Sequence, residues 1–354
     1  MHQSTVQIQK VVVGLDLGDR YTRFCALDVD GEIIEEGRIV TTAKALRRKF
    51  EETEPMRVVF EVGTHSAWVD RLLCSLGHET IVANAGKVAL IYSNERKHDQ
   101  KDARSLAELG QFKPRLLHPI QHRSEDTLVA RGLIRSRDAL VRSRTQLINH
   151  VRGIVKTSGG RLPSCSAESF PRKVALHIPG KLKEALDPLL VFIARLNRQI
   201  RSFDRRIEQI ASEQYPETEV LRQVPGVGPL TALWYILTIE DPMRFTRSRD
   251  VGPYLGLVPR LDQSGEQNPQ KRITKAGDEL MRRLLVGSAH YIIGPFGPDT
   301  DLRRWGLRLA ERGGKNAKKR AAVAVARKLA VLLHRLWVAG EVYEPLRERI
   351  EVAA

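Results

Sequence analysis

The sequence predicts an α/β module at the start of the chain and a mostly α-helical remainder. Two observations predict it: alternating strand and helix patterns in the first third, and heptad-spaced apolar residues in the middle. Residues 1–110 carry 15 basic and 17 acidic groups, whereas residues 111–354 carry 43 basic against 25 acidic. The chain of 354 residues and formal charge +16 is long enough for two or three domains. A near-neutral module joined to a strongly basic remainder implies a polyanionic partner, because phosphate neutralisation dominates nucleic-acid affinity.

The α/β module reads in order. Val11 to Leu17, Tyr21 to Asp28 and Glu32 to Val40 form three successive antiparallel strands, with Asp30-Gly31 as a hairpin turn. A helix over Thr42 to Glu52, a strand Val58 to Val62, a helix over Ser66 to Leu76 and a short strand Glu79 to Val82 follow. Three strands and then alternating helix and strand is the plan of an RNase H-like fold.

Four carboxylates fall where that plan can use them. Asp16 sits in Gly-Leu-Asp-Leu-Gly and Glu61 in Phe-Glu-Val-Gly, each inside or at the end of a strand, where an unpaired carboxylate is costly to bury. Asp99 and Asp102, three apart in His-Asp-Gln-Lys-Asp-Ala, share one face of a helix. Hard oxygen ligands converging from separate elements hold Mg²⁺ against phosphate. Taken singly, Asp16 is also a turn or cap residue, and Asp99 and Asp102 also a solvated helix start. The glycine-flanked first strand also opens actin-like sugar kinases and chaperone ATPases. Those need a second glycine-rich phosphate loop in a later, near-neutral domain, and the later part here is basic and helical.

From Leu182 the apolar residues Leu182, Leu186, Leu189, Ile193, Leu196, Ile200, Phe203, Ile207 and Ile210 step by four and three, defining a heptad seam. Asp187-Pro188 favours a helix start at that point. Upstream, Leu133, Leu140, Leu147 and Ile154 repeat every seven residues, with Arg131, Arg135 and Arg142 on the opposite face. The expectation is an antiparallel coiled-coil hairpin joined by the segment Ser158 to Pro179. The arginine stripe is either a salt-bridged solvent face or a nucleic-acid contact, and few acids stand at i+4 to pair with it.

Leu-Arg-Gln-Val-Pro-Gly-Val-Gly-Pro-Leu from Leu221 resembles a helix-hairpin-helix, in which Gly226 and Gly228 let backbone N–H groups approach a phosphate; an ordinary helix connection is the alternative. Ser264 lies in a Gly/Asn/Pro-rich loop before Lys271-Arg272-Ile273-Thr274-Lys275 and a helix over Asp278 to Val286. By itself it is a loop serine, with no histidine near in sequence to act as its base. The expected division is 1–115, 116–219 and 220–354.

Cys25, Cys74 and Cys165 are far apart with no CxxC pair, which predicts a reducing compartment and no zinc site. No signal pattern opens the chain and no apolar run reaches about 18 residues, so a soluble cytoplasmic protein without membrane contact is expected.

Together these motifs resemble the DEDD, or IS110, family of insertion-sequence transposases over nearly the whole length. They are Gly-Leu-Asp-Leu-Gly, Phe-Glu-Val-Gly, Lys-His-Asp-Gln-Lys-Asp-Ala, Val-Pro-Gly-Val-Gly, Tyr-Leu-Gly-Leu-Val-Pro, Gln-Ser-Gly-Glu, Arg-Ile-Thr-Lys-Ala-Gly-Asp and the tail Lys-Lys-Arg-Ala-Ala-Val-Ala-Val-Ala-Arg-Lys-Leu-Ala. Gln267-Asn268-Pro269-Gln270, after the serine, departs from the pattern. The resemblance implies a RuvC-like, RNase H-type domain with Asp16, Glu61, Asp99 and Asp102 holding Mg²⁺, a coiled-coil segment, and a transposase domain in which Ser264 is the nucleophile. It also implies donor and target DNA as substrates, a bridge RNA as guide, action as homodimer or homotetramer with composite sites, and a nucleoid-associated location. Arg260, Lys271, Arg272 and Lys275 would brace the phosphate. Arg131, Arg135, Arg142 and the Lys315 to Lys328 cluster, with Lys318, Lys319 and Arg320, are candidate backbone contacts. A RuvC-like nuclease that hydrolyses DNA with water, Ser264 being structural, is the alternative.

Overall fold

In a computed structural model, residues 11–85, 99–260 and 271–347 are described. They divide between Ser124 and Glu125 into two compact units.

The first unit is built on a mixed five-stranded sheet, β1 (Val12–Leu17), β2 (Tyr21–Leu27), β3 (Ile33–Val40), β4 (Arg57–Glu61) and β5 (Glu79–Ala83), in the order β3-β2-β1-β4-β5. β1, β2 and β3 pair antiparallel; β4 and β5 add in parallel. Helices α1 (Ala43–Phe50), α2 (Ser66–Ser75) and α3 (Asp99–Phe112) complete the unit. Strand alternation sorts the side chains onto two faces. Val13, Leu15, Phe24, Val58 and Phe60 pack with Leu46, Phe50, Val69 and Leu73 of α1 and α2. Val12, Cys25, Leu27 and Val59 pack with Ala103, Leu106 and Ala107 of α3. Thr42 caps α1 by accepting the Ala45 N–H at 3.3 Å. Cys25 lies in the α3-facing core, where burial first, and then hydrogen bonding to Glu36, pushes its thiol up to about 12; it is chemically quiet.

Two glycines let α3 lie close on the sheet. A Cβ on Gly14 would stand 1.9 Å from the Ala103 carbonyl oxygen, and one on Gly110 2.3 Å from Val59 Cγ2. The Arg57 guanidinium donates to the Gly110 carbonyl at 3.0 Å and Gln111 donates to the Asp28 carbonyl at 2.8 Å. These contacts fix α3 antiparallel to β1, with its first turn over the carboxyl ends of β1 and β4.

The second unit is helical: α4 (Glu125–Thr157), α5 (Phe170–Val174), α6 (Lys183–Gln214), α7 (Thr218–Arg222), α8 (Pro229–Ile239), α9 (Val251–Tyr254), α10 (Glu279–Ile293), α11 (Asp301–Glu311) and α12 (Ala317–Ala339). The long helices α4 and α6 run antiparallel. Near one end Ala130 and Ile134 share a core with Ile207 and Ile210; near the other Val151 and Val155 pack with Leu186, Leu190 and Ile193 around Phe170. Arg137 to Asp204 at 2.5 Å and Arg144 to Asn197 at 2.9 Å tie the helices between those ends.

Four expectations change here. α6 begins at Lys183 and carries Pro188 inside it, rather than starting at Asp187-Pro188. The expected α4 seam residues Leu133, Leu140, Leu147 and Ile154 are half-buried, and the buried stripe is Ala130, Arg131, Ile134, Asp138, Val151 and Val155. The expected boundary at 219/220 divides no core, because Ile207, Ile210 and Ala211 pack with Leu221, Trp234 and Leu285. Arg131, expected on a solvent face, is 6% exposed.

Candidate functional site

The sheet brings two of the four carboxylates onto neighbouring strands. β1 and β4 are in register through Leu15 and Phe60, so Asp16 and Glu61 stand one step further at the carboxyl edge. By alternation Asp16 shares the face of Val12 and Gly14, and Glu61 that of Val59, which is the face α3 covers. Both are partly exposed and both have polar partners. Asp99 and Asp102 belong to the first turn of α3, which the glycine contacts direct toward this same edge. The Asp99 side chain lies outside the described residues. Among the described residues no three His, Cys, Asp or Glu side chains are gathered closely enough to hold a metal. The donor chemistry, carboxylate oxygen throughout, suits a hard divalent cation.

His65 belongs to the same edge and was not singled out from sequence. It lies four residues beyond Glu61, its Nδ1 accepts the Trp68 indole N–H at 3.1 Å, and its Nε2 faces Asp19 at 3.6 Å. A histidine beside a glycine turn carries no spacing signal of its own, so only the fold reveals it.

Ser264 and the residues Gln267 to Gln270 lie outside the described residues. The segments on either side of them pair with each other. Arg260 N–H donates to the Arg272 carbonyl at 3.0 Å, Thr274 N–H to the Val258 carbonyl at 2.9 Å, and Pro259 bridges Ile273. Gly256, at φ +67°, and Gly277, at φ +73°, interlock this ladder with α9. A Cβ on either would stand 2.2 Å from a backbone oxygen, of Ala276 or Tyr254 respectively. Arg260, Lys271, Arg272 and Lys275 are exposed around the loop base.

Asp278, the last residue of the Arg-Ile-Thr-Lys-Ala-Gly-Asp motif, fastens this region to its surroundings. Its Oδ1 accepts the Met281 N–H at 2.8 Å, capping α10, and the Trp234 indole N–H at 2.9 Å; its Oδ2 accepts from Arg131 at 2.9 Å. Burial pushes the carboxyl up, but the Met281, Trp234 and Arg131 donors outweigh it and hold Asp278 below the usual range. Arg131 also donates to the Leu237 carbonyl at 3.0 Å and stacks 4.2 Å over Trp234. Its guanidinium is a structural strut, which removes it from the expected nucleic-acid contacts.

The other expected contacts are placed variously. Arg135 is exposed, its guanidinium 6.0 Å over the centre of the Trp234 ring. Arg142 is exposed but donates to Asp138, which Arg283 also engages; burial raises Asp138, and those two arginines outweigh it to hold the carboxyl low. Gly226, at φ +85°, closes on α10: a Cβ there would stand 2.9 Å from the Tyr291 ring, so its close approach is to protein. Gly228 caps α8 with open space beside it. Lys318, Lys319 and Arg320 are exposed on the first turn of α12, where the positive end of the helix adds to their field.

Residues 13–158 match the DEDD transposase family of IS110 elements, and residues 218–300 match the transposase family of IS116, IS110 and IS902. The chain is 30% identical to a transposase homologue, y4pF/y4sB of Sinorhizobium fredii, over 83% of this chain and 76% of that protein. The chain belongs to the IS110 family of transposases. It is also 28% identical to the transposase for insertion sequence element IS1111A of Coxiella burnetii, over 94% of this chain and 91% of that one. The transposase for IS1328 of Yersinia enterocolitica is 27% identical over 78% of this chain and 82% of its own. As an IS110-family transposase the chain acts in DNA transposition, and among the described residues no helix is long and apolar enough to cross a membrane.

Proposed function

We propose that this IS110-family transposase exchanges DNA strands through a phosphoserine intermediate, with Ser264 as nucleophile and the carboxylates of an RNase H-like unit as its partners. The observation that carries the reading is the pairing of Asp16 and Glu61 on adjacent strands beneath the first turn of α3. Asp16, Glu61, Asp99 and Asp102 would hold Mg²⁺, which when bound supplies charge neutralisation at phosphate. One of these aspartates takes the serine proton. Ser264 Oγ attacks phosphorus, the bond from phosphorus to a deoxyribose oxygen breaks, and that oxygen takes up a proton as it leaves. Reversal on a different strand end restores a phosphodiester, so the bond energy is conserved and no ATP is needed. Arg260, Lys271, Arg272 and Lys275 brace the phosphate at the loop base, as charged donors do in phosphoryl transfer.

Sequence selection belongs to a bridge RNA pairing with donor and target DNA, so the protein contributes backbone and A-form contacts. Arg135, Arg142, Gly228, Lys318, Lys319 and Arg320 supply them, on a helical hairpin of coiled-coil type, a helix-hairpin-helix at Gly226 to Gly228, and α12. The active assembly is a dimer or tetramer. End-labelled target DNA, incubated with protein, RNA and Mg²⁺ and then denatured, tests the mechanism. A labelled covalent adduct with the wild-type chain, absent in Ser264→Ala, is expected. Cleaved but protein-free DNA would replace the serine mechanism with hydrolysis by water.

A further inference from the structure

Away from these residues, the junction of α5 with α6 forms a cleft of about 400 Å³, lined by Ser166, Ser169, Arg172, Asn197, Arg198 and Arg201, with Glu168 as its one carboxylate. Arg172, Arg198 and Arg201 are all exposed, and none is ion-paired or hydrogen-bonded to another described residue. That sets them apart from Arg137, Arg142 and Arg222, each of which meets an acid.

The cleft is built rather than incidental. Asn197, 4% exposed, donates from Nδ2 to the Ala167 and Glu168 carbonyls at 3.3 and 3.2 Å and accepts from Arg144 at 2.9 Å. It therefore staples the segment carrying Ser166 and Ser169 onto α6. The buried Phe170 ring, with Arg152 stacked 5.0 Å above it, anchors the other side. Arg144 lies partly buried beneath, its Nε without a partner. Arg198 and Arg201 follow one helical face, and Arg205, also exposed, continues it. At 1.5 Å per residue the three are spread over about 10 Å of axis. Guanidinium forks match phosphate oxygens in pairs, and hydroxyls at the rim add neutral donors.

We propose that Arg172, Arg198 and Arg201 clamp the phosphodiester backbone of a nucleic-acid strand in this cleft. The inference rests on the reading of the chain as a nucleic-acid strand exchanger and assigns it a contact distant in sequence from both the carboxylates and Ser264. Buried Asn197 fixes the backbone segments that carry the arginines, so only their side chains are left to order when the strand binds.

The full chain and its Arg172→Ala/Arg198→Ala/Arg201→Ala variant are titrated with a single-stranded RNA and with a DNA duplex of the same sequence, across a salt series. Three lost contacts should weaken binding on the order of 100-fold at about 0.1 M salt and flatten the salt slope by about 2 for the single strand or about 3 for the duplex. Loss on RNA alone assigns the cleft to a guide strand, loss on duplex alone to DNA, and loss on both to either. A control variant, Arg247→Ala/Arg249→Ala/Arg312→Ala, removes the same charge from exposed positions elsewhere; an equal loss there would overturn the clamp. Circular dichroism and thermal midpoint report on folding. Independently of them, Glu168→Gln should tighten binding severalfold, and unchanged or weaker binding counts against the proposal. Wild-type binding that the triple variant retains in full overturns this site alone. A wild-type chain that binds neither probe overturns the parent reading with it.

Discussion

Asp278 shows how much one side chain carries in the second unit. It caps α10, receives Trp234 and neutralises Arg131, whose side chain is 8% exposed. Asp278→Ala leaves that buried guanidinium without its counter-ion, and such a loss costs about 3–5 kcal/mol; a fall of that size in unfolding free energy by urea titration is the expected result. The same residue sets an acid limit. Its folded pKa lies below the unfolded value, so its contribution is fully present above the ordinary aspartate range near pH 4 and is lost as pH falls through the depressed folded value. Urea midpoints should therefore drop below about pH 4 in the wild type and drop less in Asp278→Asn; parallel curves would show that another group controls the acid limb. None of this is visible in a helical wheel. Arg131 takes its partners from residues more than a hundred positions away, and the 3.6-residue period that put it on a solvent face has no knowledge of Trp234 or Asp278.

At the scale of elements, the close seating of α3 on the sheet decides whether the carboxylates can act together. Gly14→Val would drive side-chain atoms into the Ala103 carbonyl, a backbone group that cannot turn aside. Overpacking of this kind costs about 1–3 kcal/mol, and strand exchange should be lost while RNA binding persists; full activity in Gly14→Val would show that α3 is not needed over β1. Asp16→Asn keeps the packing and removes a charge, so exchange should fall on the order of 10²-fold or more with an unchanged melting temperature. Wild-type exchange by that protein in Mg²⁺ would exclude a metal role for Asp16. The five strands, α1 and α2 were legible in the sequence to within about two residues, because β-branched alternation and the Asp30-Gly31 turn are local signals. The helical unit was less so. Pro188 sits inside α6 because the preceding short helix, Gly180–Leu182, already leads into its first turn, and the α4 seam shifts to face α6 at both ends and α8 as well at the end that carries Ala130 and Ile134. Asp16 and Glu61 were legible as acids inside or at the end of strands, whereas His65 and the ladder pairing Val258 and Arg260 with Arg272 and Thr274 needed the fold.

At the scale of the whole chain, the proposed chemistry spreads over both compact units: the carboxylates belong to the unit that ends at Ser124 and the serine loop to the unit that begins at Glu125. A reaction that needs both can draw them from one subunit or from two. Complementation between inactive variants separates the two arrangements. In a two-fold dimer with sites shared between subunits, Asp16→Asn paired with Ser264→Ala leaves one site with two variant residues and the other fully intact. If each subunit used its own residues, every site in the mixed dimer would carry one defect. The mixture should accordingly recover covalent adduct at about a quarter of the wild-type yield, since random pairing makes half the dimers mixed and half their sites intact. Each variant alone should give none. Mixed protein that stays silent, although subunit exchange is verified by tagged co-purification, would assign serine and carboxylates to the same subunit.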